Sequence, residues 1–94
     1  IVITHGTDTM IETAKRLAGI PGKRTVLTGA MQPAGFRNSD AVFNVGFALG
    51  VLQSASASGV WIAMSGQVFE PNRVRKNRER GVFERIEMPE VEVP

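Results

Sequence analysis

The chain has 94 residues, a formal net charge of +2 and no cysteine. This length allows at most one small domain, and the lack of cysteine excludes disulfides, cysteine nucleophiles and thiolate metal sites. Hydrophobic residues make up 43% of the chain, a share typical of globular proteins and too high for a disordered chain. The apolar run at residues 59–65 is far too short to span a bilayer, so we expect no membrane partner.

Charged residues concentrate at the carboxyl-terminal end of the chain. Residues 70–94 hold six acidic and six basic side chains, whereas residues 1–69 hold three and five. A block of mixed sign is typical of a solvated surface rather than of a nucleic-acid footprint. The basic run at residues 73–80 also lacks interleaved aromatic residues on which bases could stack. We therefore expect no nucleic-acid partner.

Hydrophobic patterning predicts alternating strands and helices. Thr9 and Glu12 have the spacing of a capping box, which starts a helix at Met10. Glycine and proline at residues 19–22 end that helix. The predicted elements in chain order are a buried strand at residues 1–4, a helix from Met10 to Leu17 or Ala18, a strand at Arg24–Thr28, a helix at residues 41–53, a strand at Gly59–Met64 and a short arm at Val68-Phe69.

The second helix is apolar on almost every side, which indicates burial on more than one side or a subunit contact. Asn38 or Ser39 is placed to cap it, with Asp40 in its first turn. Beyond Pro71 the chain is polar and is predicted to be irregular, ending in an extended segment at residues 88–94. The fold class is therefore α/β, a three-layer arrangement around a mainly parallel sheet in β-α-β-α-β order.

Parallel strands end at the same edge of a sheet, and ligands bind in the crevice beyond those ends. The first two strands, with the helix between them, have the length of one right-handed βαβ unit. The predicted order brings three segments around one crevice: Gly6-Thr7-Asp8, Gly29-Ala30-Met31 and Ser65-Gly66.

Thr7 and Asp8 are the chemically interesting side chains of that crevice. Exposed N–H groups at a helix start suit an anion, and a carboxylate suits an ammonium group. The alternative is that both residues only cap the helix. A threonine hydroxyl is a poor nucleophile until a base or cation activates it. The lysines that could do so are Lys15, Lys23 and Lys76, and spacing alone does not choose among them.

His5 is the one histidine and gives no metal-binding constellation. A general base is one interpretation, and a packed residue at a strand end is the other.

Residues 2–14, with the run HGTDTMIET, resemble the second signature of the bacterial-type L-asparaginases. Residues 26–33, 39–44, 59–64 and 73–76 continue the resemblance in the family's order. Residues 66–69 and 73–76 resemble the short, single-domain members in particular. The resemblance implies hydrolysis of L-asparagine to L-aspartate and ammonia, with weaker activity on L-glutamine and no metal or organic cofactor.

The resemblance also implies roles for single residues. Thr7, Asp8 and Lys76 match the catalytic cluster, in which Lys76 favours the polarised form of the Thr7 hydroxyl and Asp8 contacts the substrate ammonium. The backbone of Gly6 and Thr7 would hold the substrate or its oxyanion, and the Ala30 carbonyl would face the amide being cleaved.

Nothing in the 94 residues matches the family's other active-site threonine, which lies in a TGGTI-like segment on an upstream strand, or its tyrosine-bearing loop. We therefore expect residues 1–94 to be a partial N-terminal-type catalytic domain that is inactive or nearly so alone. The resemblance also implies a homo-oligomer, dimer or tetramer, and we expect a cytoplasmic location. Two other functions stay open: a non-catalytic amino-acid-binding module, and the asparaginase-like subunit of a tRNA amidotransferase.

Overall fold

The computed structural model of the chain describes residues 1–32, 35, 37–55 and 57–87. In chain order the elements are β1 (Val2–Thr4), α1 (Met10–Leu17), β2 (Arg24–Thr28), α2 (Ala41–Ser54), β3 (Gly59–Met64), β4 (Gln67–Phe69), a 3₁₀ turn (Pro71–Arg73), β5 (Val74–Asn77) and β6 (Val82–Arg85). The predicted helices and strands up to residue 69 are confirmed to within one residue at each end. The predicted extended segment at residues 88–94 lies outside the described residues.

The first four strands form one sheet in the order β1-β2-β3-β4. β1, β2 and β3 are parallel, and β4 returns antiparallel to β3. Thr4 lies opposite Thr28, and Leu27 lies opposite Ile62. The carboxyl ends of the three parallel strands therefore share one edge, as the β-α-β-α-β order predicts.

Each face of this sheet carries one helix, because successive residues of a strand point to opposite faces. Leu27 belongs to a core cluster that includes Met10 and Ala14 of α1. Its neighbour Val26 packs instead in a cluster with Ala48 of α2. The predicted three-layer arrangement, α1 on one face and α2 on the other, is confirmed.

Helices on opposite faces have a consequence for chain topology. The connections from β1 to β2 and from β2 to β3 step across the sheet in the same direction. If both connections had the same handedness, α1 and α2 would lie on the same face of the sheet. They lie on opposite faces, so the two connections have opposite handedness. Nearly all connections between parallel strands in proteins are right-handed. One of these two connections is therefore left-handed and an exception to that preference.

Burial differs from the prediction in two elements. Val2 and Ile3 of β1 are half-buried and Thr4 is exposed, because within the described residues β1 pairs only with β2. On α2 the side chains of Val42 and Phe43 are 87% and 61% exposed. The described part of the chain covers only the sheet-facing side of this helix.

The chain after Pro71 forms an antiparallel hairpin of β5 and β6 rather than irregular structure. Val74 and Phe83 are buried in the cluster under α1 and anchor the two strands. Gly81 closes the turn with φ 67°, a conformation that glycine adopts without strain. The hairpin thereby fixes the position of Lys76, which pairs with Phe83 in the register.

Candidate active site

Thr7, Asp8 and Lys76 meet at one point, although they are distant in sequence. Thr7 and Asp8 lie in the turn between β1 and α1, whereas Lys76 lies on β5 of the hairpin. Lys76 Nζ donates to Thr7 Oγ1 at 2.7 Å and to Asp8 Oδ1 at 2.7 Å. The Lys76 ammonium group therefore donates hydrogen bonds to the Thr7 hydroxyl and the Asp8 carboxylate at the same time.

The surroundings of the three groups differ. The Lys76 side chain is only 14% exposed, whereas that of Asp8 is 68% exposed. Thr7 is half-buried between them. A cation held largely out of water acts on its neighbours more strongly than one surrounded by solvent. The cluster thus presents a hydroxyl bonded to a largely buried ammonium group, beside an accessible carboxylate.

Arg78 is a fourth member of the cluster. Its Nη1 donates to the same Asp8 Oδ1 at 2.6 Å. The hydrogen bond from Lys76, together with the positive charges of Lys76 and Arg78, lowers the pKa of Asp8 below its usual 3.8. Asp8 is therefore ionised at neutral pH. The sequence signal for Arg78 is its position two residues after Lys76, which in an extended chain places both side chains on one side.

The helix-cap interpretation of Thr7 and Asp8 is wrong. The N-cap position of α1 is Thr9, whose side chain makes no capping hydrogen bond, so the predicted Thr9–Glu12 capping box is absent as well. The carboxylate of Asp8 is instead engaged by the two cations of the hairpin. At α2 the N-cap position is Asp40 rather than the predicted Asn38 or Ser39, and its side chain makes no capping hydrogen bond, although Ser39 Oγ accepts the N–H of Ala41.

A pocket of about 350 Å³ lies at the edge where β1 and β2 end, and Gly6, Gly29 and Ala30 line it. The strand ends approach closely here, because His5 N–H donates to the Thr28 carbonyl at 2.9 Å. A Cβ on Gly29 would collide with the His5 carbonyl oxygen. Pockets of this size hold small molecules. Two of the predicted substrate-binding residues, Gly6 and Ala30, thus border the same pocket.

His5 is a half-buried residue at the end of β1 and engages both of its ring nitrogens. Nε2 lies 2.9 Å from Thr13 Oγ1 and Nδ1 lies 2.7 Å from the Gly6 carbonyl oxygen. Lys15 and Lys23 are exposed, and within residues 1–32, 35, 37–55 and 57–87 only Lys76 donates to Thr7. The same residues contain no group of three His, Asp or Glu side chains placed to ligate a metal.

We expect Arg78→Gln to raise the pKa of Asp8, because one of the two cations bonded to Oδ1 is removed. A lowered carboxyl pKa stabilises the folded protein above pH 3.8, and this stabilisation is lost as pH falls through the folded-state value. Carboxyl-carbon NMR of Asp8 should give a titration midpoint below 3.8 in the unchanged protein and a higher midpoint in Arg78→Gln. Arg80→Gln is the matched control, and an equal shift in both variants would contradict the assignment.

Known proteins resemble this chain both in sequence and in fold. The family model described as "Asparaginase, N-terminal" matches residues 1–92. The L-asparaginase of Thermococcus kodakarensis is 35% identical over 96 residues, covering 97% of this chain and 29% of that protein. The solved structure described as the thermostable L-asparaginase from the same organism has a TM-score of 0.82 at 35% identity, and the match covers 95% of this chain and 28% of that one.

Two further relatives also match most of this chain over a small part of their own length. A protein named probable L-asparaginase periplasmic from Haemophilus influenzae is 40% identical, covering 86% of this chain and 24% of its own length. A glutaminase-asparaginase from Acinetobacter glutaminasificans is 38% identical, covering 81% and 24%. The chain thus spans between a fifth and a third of the length of these relatives. Within its described part, neither helix has the length and apolar character needed to cross a membrane.

Proposed function

This chain belongs to the asparaginase family, and from this premise we propose that the protein carrying it hydrolyses L-asparagine to L-aspartate and ammonia. The observation that carries the proposal is the 2.7 Å bond from Lys76 Nζ to Thr7 Oγ1, with Asp8 on the same ammonium group. The names of the relatives support the substrate. In this proposal Thr7, Asp8 and Lys76 are the catalytic residues.

Lys76 acts on the hydroxyl of Thr7. A cation that donates to Oγ1 stabilises negative charge on that oxygen, and so favours the polarised form of the hydroxyl. The limited exposure of Lys76, 14%, keeps water from screening this interaction. Asp8, ionised because its pKa is lowered, receives the ammonium group of the amino-acid substrate.

The pocket at the ends of β1 and β2 supports the roles of the backbone groups, since Gly6, one of its lining residues, precedes Thr7 in the chain. Gly6 and Ala30 both line it, at the ends of neighbouring parallel strands. In our proposal the backbone of Gly6 and Thr7 holds the substrate or its oxyanion, and the Ala30 carbonyl accepts a hydrogen bond from the amide that is cleaved. In this proposal the scissile amide lies between the Thr7 hydroxyl and the Ala30 carbonyl.

We propose minor glutaminase activity for the same site. Glutamine is one methylene longer than asparagine, and a pocket distinguishes such a difference by roughly 10–200-fold. A relative named glutaminase-asparaginase supports this activity.

We also propose that the protein assembles as a dimer or tetramer, which the exposed apolar side chains of α2 support. Inactivity of the 94 residues alone and a cytoplasmic location stay predictions, and one relative is named periplasmic.

The test is ammonia release from L-asparagine by the whole protein that carries the chain. We expect one ammonia and one aspartate for each asparagine consumed, without an added cofactor. Saturable aspartate binding in calorimetry without ammonia release would overturn the proposal in favour of an amino-acid-binding module. Release of ammonia only in the presence of tRNA would instead indicate an amidotransferase subunit.

A further inference from the structure

A buried amide on α2 connects the ends of two strands. The Asn44 side chain is fully buried. Its Nδ2 donates to the Gly29 carbonyl at 2.8 Å and to Asp40 Oδ2 at 3.0 Å. Its Oδ1 accepts the N–H of Ser65 at 3.0 Å. Asn44 thus holds the segments after β2 and β3 at fixed positions and also orients the carboxylate of Asp40.

Asp40 in turn binds the loop that follows β2. Its Oδ2 accepts the N–H of Met31 at 3.0 Å, and its Oδ1 accepts the N–H of Gln32 at 3.1 Å. The Met31 N–H and the Ala30 carbonyl belong to the same peptide unit. The described residues contain no cis peptide bond, and in a planar trans peptide these two groups point in opposite directions. Asp40 therefore makes the Ala30 carbonyl point away from itself.

We propose that Asp40, held in place by Asn44, is a positioning residue that directs the Ala30 carbonyl at the amide nitrogen leaving the substrate. This inference rests on the proposed function. Ala30 lines the same pocket as Gly6, the residue before Thr7, and its carbonyl acts only when its direction is fixed. Neither Asp40 nor Asn44 contacts the substrate in this proposal, and both act through the loop.

Asp40 also makes the carbonyl a stronger acceptor. A hydrogen bond from a peptide N–H to a carboxylate is charge-assisted, and it polarises the peptide so that its carbonyl oxygen becomes more negative. Burial raises the pKa of Asp40, but the hydrogen bonds from Met31, Gln32 and Asn44 outweigh it, so that the pKa lies below 3.8. Asp40 is therefore charged at neutral pH.

The test compares two substrates on the whole protein, L-asparagine and the β-methyl ester of L-aspartate. The amide carries N–H donors for the Ala30 carbonyl, whereas the methoxy group of the ester carries none. Asp40→Asn preserves the shape of the side chain and removes its charge. We expect this variant to lower kcat/KM for asparagine by about tenfold, the effect of one hydrogen bond, and to leave the ester within about twofold. The ratio of the two values does not depend on how much of the variant is folded.

Ser39→Ala is the matched control. Ser39 Oγ donates to the Gln32 carbonyl at 2.8 Å and accepts the Ala41 N–H at 3.1 Å. It therefore supports the same loop without contacting the Ala30–Met31 peptide, and we expect an unchanged amide-to-ester ratio. An equal loss on both substrates in Asp40→Asn, or no loss on either, would overturn the inference. Failure of the unchanged protein to hydrolyse asparagine would overturn the proposed function and the inference with it.

Discussion

Lys76→Met is expected to lower kcat for asparagine by about a thousandfold, the upper range for removing one electrostatic stabiliser from an acyl-transfer site. Methionine keeps most of the length of the lysine stem but removes the ammonium group that bonds Thr7 and Asp8. The hairpin should still form, because its buried anchors are Val74 and Phe83. The measurement is steady-state ammonia release at saturating asparagine, with the unfolding midpoint of each variant as a check on folding.

Lys15→Met and Lys23→Met provide matched controls, because both lysines are exposed. We expect each control to stay within about twofold of the unchanged protein, as exposed positions outside a site usually do. A folded Lys76→Met variant that kept full turnover would remove Lys76 from the site. A similar loss in all three variants would indicate a general effect of positive charge.

Thr7→Val is expected to lower kcat by a comparable factor, on the order of a thousandfold. Valine has the same branched shape as threonine, and therefore only the hydroxyl that accepts from Lys76 is lost. Thr7→Ser keeps the hydroxyl but loses the methyl group that restricts its rotation. We expect this serine variant to retain activity between those of the unchanged protein and Thr7→Val. Ammonia release under saturating asparagine measures all three.

Thr9→Val is the control for this series. Thr9 lies in the same turn, is exposed, and its side chain makes no capping hydrogen bond. The variant should keep its turnover within about twofold, as surface substitutions generally do. If Thr9→Val and Thr7→Val lost activity equally, the effect would belong to the turn rather than to the Thr7 hydroxyl.

Elements of the fold up to residue 69 were predictable because their signals are local. Arg24–Thr28 is a short run rich in β-forming residues, Gly59–Met64 is a short apolar run, and both are strands. Glycine and proline after residue 18 mark the end of α1 in the sequence. The common edge of the parallel strands followed from their order alone. The sequence therefore placed Gly6, Thr7 and Ala30 correctly at one end of the sheet.

The remaining features depend on contacts between distant residues. The hairpin has only two buried apolar anchors, Val74 and Phe83, which are separated by mostly charged residues that hide the strand pattern. Local patterning left Lys76 as one of three candidate lysines, and only the family resemblance chose it. The spacing of Arg78 from Lys76 is visible in the sequence, but its bond to Asp8 is visible only once the hairpin faces the turn at Asp8.

The Asp40–Asn44 network was hidden for a related reason. Asn44 is a polar residue within an apolar helix, and no periodicity shows that its partners are backbone groups of Gly29 and Ser65. The same limit applies to burial. An apolar helix predicts a covering surface, but the described part of the chain leaves Val42 and Phe43 exposed.

The most direct test of the account is a double-mutant cycle between Thr7→Val and Lys76→Met. The central claim is that Lys76 acts through the Thr7 hydroxyl, which accepts its ammonium group at 2.7 Å. Residues that act as one unit give strongly non-additive losses. The account predicts that the double variant releases ammonia from asparagine about as slowly as the slower single variant. A double variant whose loss equals the product of the two single losses would contradict it.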